Sequence, residues 1–228
     1  FAPLEKGRRV IIINDAQTMK AEASNAILKI LEEPPKDTHI ILTTLQTMDL
    51  LPTIVSRCQH IAFRPLPVAK IADVLVARQG LDPDTATALA ILAKGSLGKA
   101  QSADPKKWMP WRRHLLERIG SVPTDSIHAL FVFADALARD KDKLEDALDV
   151  INIWFRDILM CKFHPEKILN TDLVDSIESA SEELSVEELL KKITAVFAAQ
   201  RAILRHVNPR LALEVMMMRL RGDLGALA

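Results

Sequence analysis

Four consecutive aliphatic residues, Val10-Ile11-Ile12-Ile13, open the ordered pattern of this chain. A strand that is apolar at every position is the kind buried on both faces, and such strands belong to parallel sheets covered by helices. The pattern that follows agrees. Two more short apolar runs, His39-Ile40-Ile41-Leu42-Thr43 and Gln59-His60-Ile61-Ala62-Phe63, read as strands. Between the first two, Ala21 to Glu33 has the period of a helix, with Ala23, Ala26, Ile27, Ile30 and Leu31 expected on its buried face and Pro34-Pro35 as its stop. This is a right-handed crossover unit. The first strand follows Phe1 almost at once, which leads us to expect that an N-terminal portion of this layer has been removed.

From Pro67 onward strand signals end. Val68, Ile71, Leu75 and Val76 define an amphipathic helix ending at Gly80, and Asp82-Pro83 supplies a cap and a first-turn proline for the next, with Leu89, Ala90 and Ala93 following before Gly95. Pro105 and the tryptophan-rich stretch Lys107 to Arg112 mark the next boundary. Longer helices are expected over Thr124 to Ala138, Lys141 to Phe163, Val186 to His206 and Pro209 to Arg221. Ser185 and Glu188 have the spacing of a capping box, Leu184 and Leu189 that of a hydrophobic staple, and Asn208-Pro209 caps the last helix. The fold class is thus α/β plus all-α. Three divisions are expected: 1–66 as the partial parallel-sheet layer, 67–104 as a small helical domain and 105–228 as a larger helical one.

Charge excludes more than it proposes. Lys plus Arg and Asp plus Glu number 30 each, so no global field draws the chain to nucleic acid or to an anionic membrane. Only Cys58 and Cys161 are present, far apart and without companion ligands, which fits a reducing cytoplasm and no metal site. No apolar run is long enough to span a bilayer, so a membrane is not among the expected partners. Trp108, Trp111 and Trp154 read as packing residues, although Trp108 and Trp111, lying near basic residues, could instead stack on a base. Met216-Met217-Met218 reads as helix packing. His114, His128, His164 and His206 form no catalytic grouping.

The run Asn25-Ala26-Ile27-Leu28-Lys29-Ile30-Leu31-Glu32-Glu33-Pro34-Pro35, followed by Ser56-Arg57-Cys58, resembles the clamp-loader branch of the AAA+ ATPases. Asn208-Pro209-Arg210-Leu211-Ala212-Leu213-Glu214 also resembles the final collar helix of its gamma and delta-prime subunits. The resemblance implies half of an AAA+ sheet domain, a helical lid and a helical collar. It also implies roles. Arg57, in the Ser56-Arg57-Cys58 triplet, would be an arginine finger reaching a neighbouring subunit's nucleotide. Asn14 and Asp15 would stand in the Walker B position, where an active subunit carries two acids. Thr43 or Thr44 would occupy sensor 1, and Gly98, in Gly95-Ser96-Leu97-Gly98-Lys99-Ala100, would replace the sensor 2 arginine. An amide binds magnesium weakly and cannot serve as a base, so hydrolysis in this chain's own pocket should fail. The family's phosphate-binding loop and zinc module would precede Phe1.

A delta-prime type of subunit, with no cofactor of its own, is the reading these substitutions favour. Its implied partners are the gamma or tau and delta subunits, and, through the assembly, the sliding clamp and primed DNA. Two alternatives stay open: a gamma or tau ATPase with an atypical Walker B, and a DNA-binding module whose AAA+ likeness is vestigial.

Overall fold

The computed structural model describes residues 8–122 and 126–223. The chain forms two compact units, Phe1–Phe63 and Arg64–Ala228.

In the first unit, β1 (Arg9–Ile13) and β2 (Thr38–Leu42) pair in parallel, Arg9 opposite Thr38 and Ile13 opposite Leu42. The crossover helix α1 (Ala21–Glu32) lies between them in sequence, and Glu33 leaves the helical region immediately before Pro34-Pro35. Three expectations are corrected here. First, β1 is not buried on both faces. Its residues alternate, leaving Val10 and Ile12 more than half exposed, and Ile41 of β2 is exposed with them. A single crossover helix can cover only one face of a two-stranded sheet. Second, Gln59 to Phe63 is not a strand: no ladder is described for it, and Ile61 and Phe63 are exposed. An apolar run becomes a strand only when a neighbour takes its backbone hydrogen bonds. Third, α1 buries Ser24 and Ile27 with Leu28 and Leu31 partly covered, while Ala23, Ala26 and Ile30 face outward. Ile27 belongs to both possible stripes of this helix, and packing selects the one the apolar count does not. Before Ser56, the segment Met48 to Val55 is broken in two. A 3-10 turn at Thr47–Asp49 is separated from α2 (Pro52–Val55) by extended Leu50 and Leu51. The ring of Pro52 forces the residue before it out of the helical region.

The second unit is helical throughout its described residues. The helices α3 (Val68–Gln79), α4 (Pro83–Leu92) and α5 (Leu97–Ser102) enclose an apolar cluster of Ile71, Leu75, Ala86, Leu89, Ala90, Ala93 and Ala100. The expected cap at Asp82 is present, its carboxylate accepting from the Thr85 amide at 2.9 Å. Gly80 closes α3 in the left-handed conformation at φ 65°.

A larger cluster is built by α6 (Pro105–Ser121), α7 (Ile127–Arg139), α8 (Lys141–Phe163), α9 (Val174–Glu183), α10 (Val186–Leu204) and α11 (Pro209–Arg221). The tryptophan-rich stretch lies inside α6, and Trp108 packs against both clusters. For α7, the expected start at Thr124 lies outside the described residues; its cap is Ser126. α10 ends at Leu204, two residues before the expected His206, because His206 takes a positive φ of 62°. Met216 and Met217 are buried, as is Trp154. The Ser185–Glu188 capping box is complete in both directions, and Asn208 accepts from the amides of Arg210 and Leu211. Among the described residues no helix is long and apolar enough to cross a membrane, and no cluster of His, Cys, Asp or Glu could hold a metal ion.

Candidate functional site

The C-terminal ends of parallel strands are where open α/β sheets place ligands, and the expected Walker B and sensor 1 positions meet there. Ile13 ends β1 and Thr43 directly follows the last residue of β2, the Thr43 amide donating to the Ile13 carbonyl at 3.0 Å. The chain then turns sharply, with Asp15 in the left-handed region at φ 51°, a conformation that Asn and Asp tolerate better than most side chains. Thr43 fills the corner. Its hydroxyl accepts from the Asp15 amide at 3.1 Å and donates to Asn14 Oδ1 at 3.4 Å. Thr44 faces elsewhere, donating to the Gln46 carbonyl at 3.0 Å. Of the two sensor 1 candidates, Thr43 is therefore the one beside Asn14 and Asp15.

The chemistry of this corner is weak for a catalytic metal. Asn14 offers a neutral amide oxygen already engaged by Thr43, and Asp15 Oδ1 accepts from Gln17 Nε2 at 3.3 Å. A magnesium triphosphate needs a carboxylate ligand and a second acid to position water. One short carboxylate, held at a turn beside an amide, does not fit that donor set.

Arg57 is built from a different corner. Ile54, almost fully buried, anchors α2, and Ser56 and Arg57 continue its last turn, the Arg57 amide donating to the Ile54 carbonyl at 3.1 Å. The guanidinium is not solvated at random. Its Nη1 donates to the Thr53 carbonyl at 2.9 Å and to Ser56 Oγ at 3.3 Å. Its Nε and Nη2 both donate to Glu32 Oε1, at 2.9 and 2.5 Å. Even so, the side chains of Arg57 and Glu32 are 36% and 51% exposed, so the pair lies at the surface. Ser56 fixes the turn by donating to the Thr53 carbonyl at 3.1 Å, and Cys58 is a half-buried free thiol. Sequence reasoning missed Glu32 as a partner of Arg57: the two stand 25 positions apart, and only the fold places the end of α1 beside the end of α2.

In the second unit, the expected sensor 2 segment forms the turn into α5. Gly98 is exposed, and a Cβ there would meet nothing within 4 Å, so no steric demand keeps a side chain out. The adjacent Lys99 is committed elsewhere, its ammonium 2.6 Å from Asp146 of α8. Lys94 likewise reaches Asp149 of α8 at 2.6 Å. Burial lifts the Asp149 carboxyl above its ordinary range, with the Lys94 hydrogen bond and charge pulling the other way. Arg112 was also invisible in the sequence as a special residue. It is buried in α6, with Nη1 at 2.7 Å from Asp172 and Nη2 at 2.6 Å from Asn170.

Comparison with known proteins places the chain. Residues 1–67 match the family model described as DNA polymerase III, delta subunit, and residues 105–222, more than half of the chain, match DNA polymerase III, delta subunit, C terminal. DNA polymerase III subunit delta' of Bacillus subtilis is 30% identical over 209 residues, covering 90% of this chain and 63% of that protein. The chain thus spans less than two thirds of the length of that relative. DNA polymerase III subunit gamma/tau of Mycobacterium tuberculosis is 42% identical over 67 residues, 29% of this chain and 12% of that protein. A crystal structure of a DNA polymerase III gamma subunit-related protein from Thermotoga maritima superposes with a TM-score of 0.48 at 21% identity, over 97% of this chain and 74% of that one. The chain belongs to the DNA polymerase III delta-subunit family, in its delta-prime branch.

Proposed function

We propose that this chain serves in a replicative clamp loader as the subunit that supplies an arginine to a neighbour's nucleotide and hydrolyses none itself. The observation that carries this reading is Arg57: a guanidinium on a short turn anchored by Ile54, at the surface, with its planar fork already holding an oxyanion. Such a fork binds phosphate oxygens as it binds a carboxylate, and stabilises charge spread over several of them. The engagement of Asn14 and Asp15 within their own turn supports the other half of the reading. On this view α3 to α5 are the lid, α6 to α11 the collar, and gamma or tau and delta subunits the neighbours; the sliding clamp and primed DNA are met by the assembly.

The test is Arg57→Ala in the full-length protein, reconstituted with its partner subunits. Assembly should be intact, while ATP hydrolysis stimulated by clamp and DNA falls severalfold, since an arginine finger contributes roughly 10³–10⁵ in turnover at the site it serves. Unchanged hydrolysis would remove the reading.

One observation favours a second reading, a gamma or tau type of ATPase: a stretch of 67 residues is 42% identical to a gamma/tau subunit. It predicts ATP turnover by the full-length protein alone, abolished by Asn14→Ala or Asp15→Ala. The proposed reading predicts no such turnover to abolish.

A further inference from the structure

The carboxylate that holds Arg57 stands at the wrong end of its own helix. Glu32 is the last residue of α1, where the exposed carbonyls carry partial negative charge and a carboxylate is unfavourable. Its benefit lies in Arg57. Four hydrogen bonds occupy the guanidinium, divided between two edges: Nη1 on Thr53 and Ser56 of its own turn, Nε and Nη2 on a single oxygen of Glu32. The Nε–Nη2 edge presents the parallel donors that take two oxygens of a phosphate. Glu32 and a phosphoryl group therefore compete for one edge, while the Nη1 contacts can hold the arginine in place through the exchange. Both side chains are at the surface, and an exposed pair of this kind biases an equilibrium by at most roughly fivefold. That is enough to hold a long side chain in one rotamer and little enough for a multiply charged anion to displace.

We propose that Glu32 is a positioning residue for Arg57: it keeps the guanidinium extended and oriented in the unengaged subunit, and surrenders its Nε–Nη2 edge to a phosphate of the nucleotide bound next door. The inference rests on the reading that Arg57 acts in trans. It makes the carboxylate a ground-state competitor of the nucleotide, so neutralising it eases engagement of ATP without altering the engaged state.

The experiment compares reconstituted assemblies carrying wild type, Glu32→Gln, Arg57→Ala and the double variant of the full-length protein, with ATP as the probe. Glu32→Gln should lower the apparent KM for ATP roughly two- to fivefold, leave kcat with clamp and DNA unchanged, and have no effect when Arg57 is alanine. A KM that is unchanged or raised, or an effect that persists in the Arg57→Ala background, overturns the role of Glu32. The two readings fail differently. Arg57→Ala indistinguishable from wild type overturns the trans arginine and Glu32 with it; reduced hydrolysis in Arg57→Ala beside a wild-type KM in Glu32→Gln overturns Glu32 alone.

Discussion

Two glycines in one six-residue segment carry opposite constraints. Gly95 holds φ 86°, and a Cβ there would fall 2.3 Å from Pro65 Cβ and 2.9 Å from the Leu66 nitrogen, whose amide donates to the Gly95 carbonyl at 3.0 Å. Left-handed geometry alone costs a non-glycine residue roughly 1–2 kcal/mol, and overpacking against backbone adds about 1–3 kcal/mol. Gly95→Ala should therefore lower unfolding free energy by about 2–5 kcal/mol in urea denaturation. Gly98, with open space around it inside α5, should respond the other way, Gly98→Ala gaining about 0.5–1 kcal/mol. In the sequence the two glycines belong to one motif, and nothing local shows how differently they would tolerate a side chain. What separates them is the approach of Pro65, a residue 30 positions before Gly95.

Among the elements, the helix ends were legible and the helix interiors less so. Caps are local: a side chain meets a backbone amide two or three residues away, so Asp82, Ser185 and Asn208 could be assigned from spacing alone and each forms its bond. Ser185→Ala should cost about 1 kcal/mol by thermal or chemical denaturation. The box is also pH-dependent. Hydrogen bonds from the Ser185 hydroxyl and amide hold the Glu188 carboxyl below its ordinary value. Its folded pKa is the lower one, so its contribution is present above the ordinary glutamate range and fades as pH falls through the folded value. The cost of Ser185→Ala should accordingly shrink between neutral and acid pH. α6 shows the opposite case. Pro110 sits inside it and lacks the N–H of a regular helix, so a reading by breakers stops where the helix in fact continues. Its continuation is secured by tertiary partners: Leu115, Leu116 and Ile119 in the core, and Arg112 on Asp172 and Asn170.

At the scale of the molecule, the Arg112 fork joins α6 to the segment between α8 and α9, where Asn170 also donates to the fully buried Asp157 at 2.9 Å. Removing one partner from a buried ionic network strands the rest, at a cost of about 3–5 kcal/mol. Arg112→Ala should lower the urea midpoint accordingly, whereas Arg113→Ala, one position along and exposed, should change it little. The sequence by itself determined what depends on near neighbours: the crossover from strand to helix to strand, the proline stops, the helix caps, and the run from Asn25 to Pro35 with Ser56-Arg57-Cys58 that marks the family. Only the tertiary structure decided which stripe of α1 is buried, that Gln59 to Phe63 has no ladder, that Thr43 rather than Thr44 closes the Asn14-Asp15 turn, and that Arg57 is held by Glu32. The physical reason is range: caps and stops act over a few residues of chain, while ladders, buried faces and ion pairs need partners that only folding brings within a few ångströms.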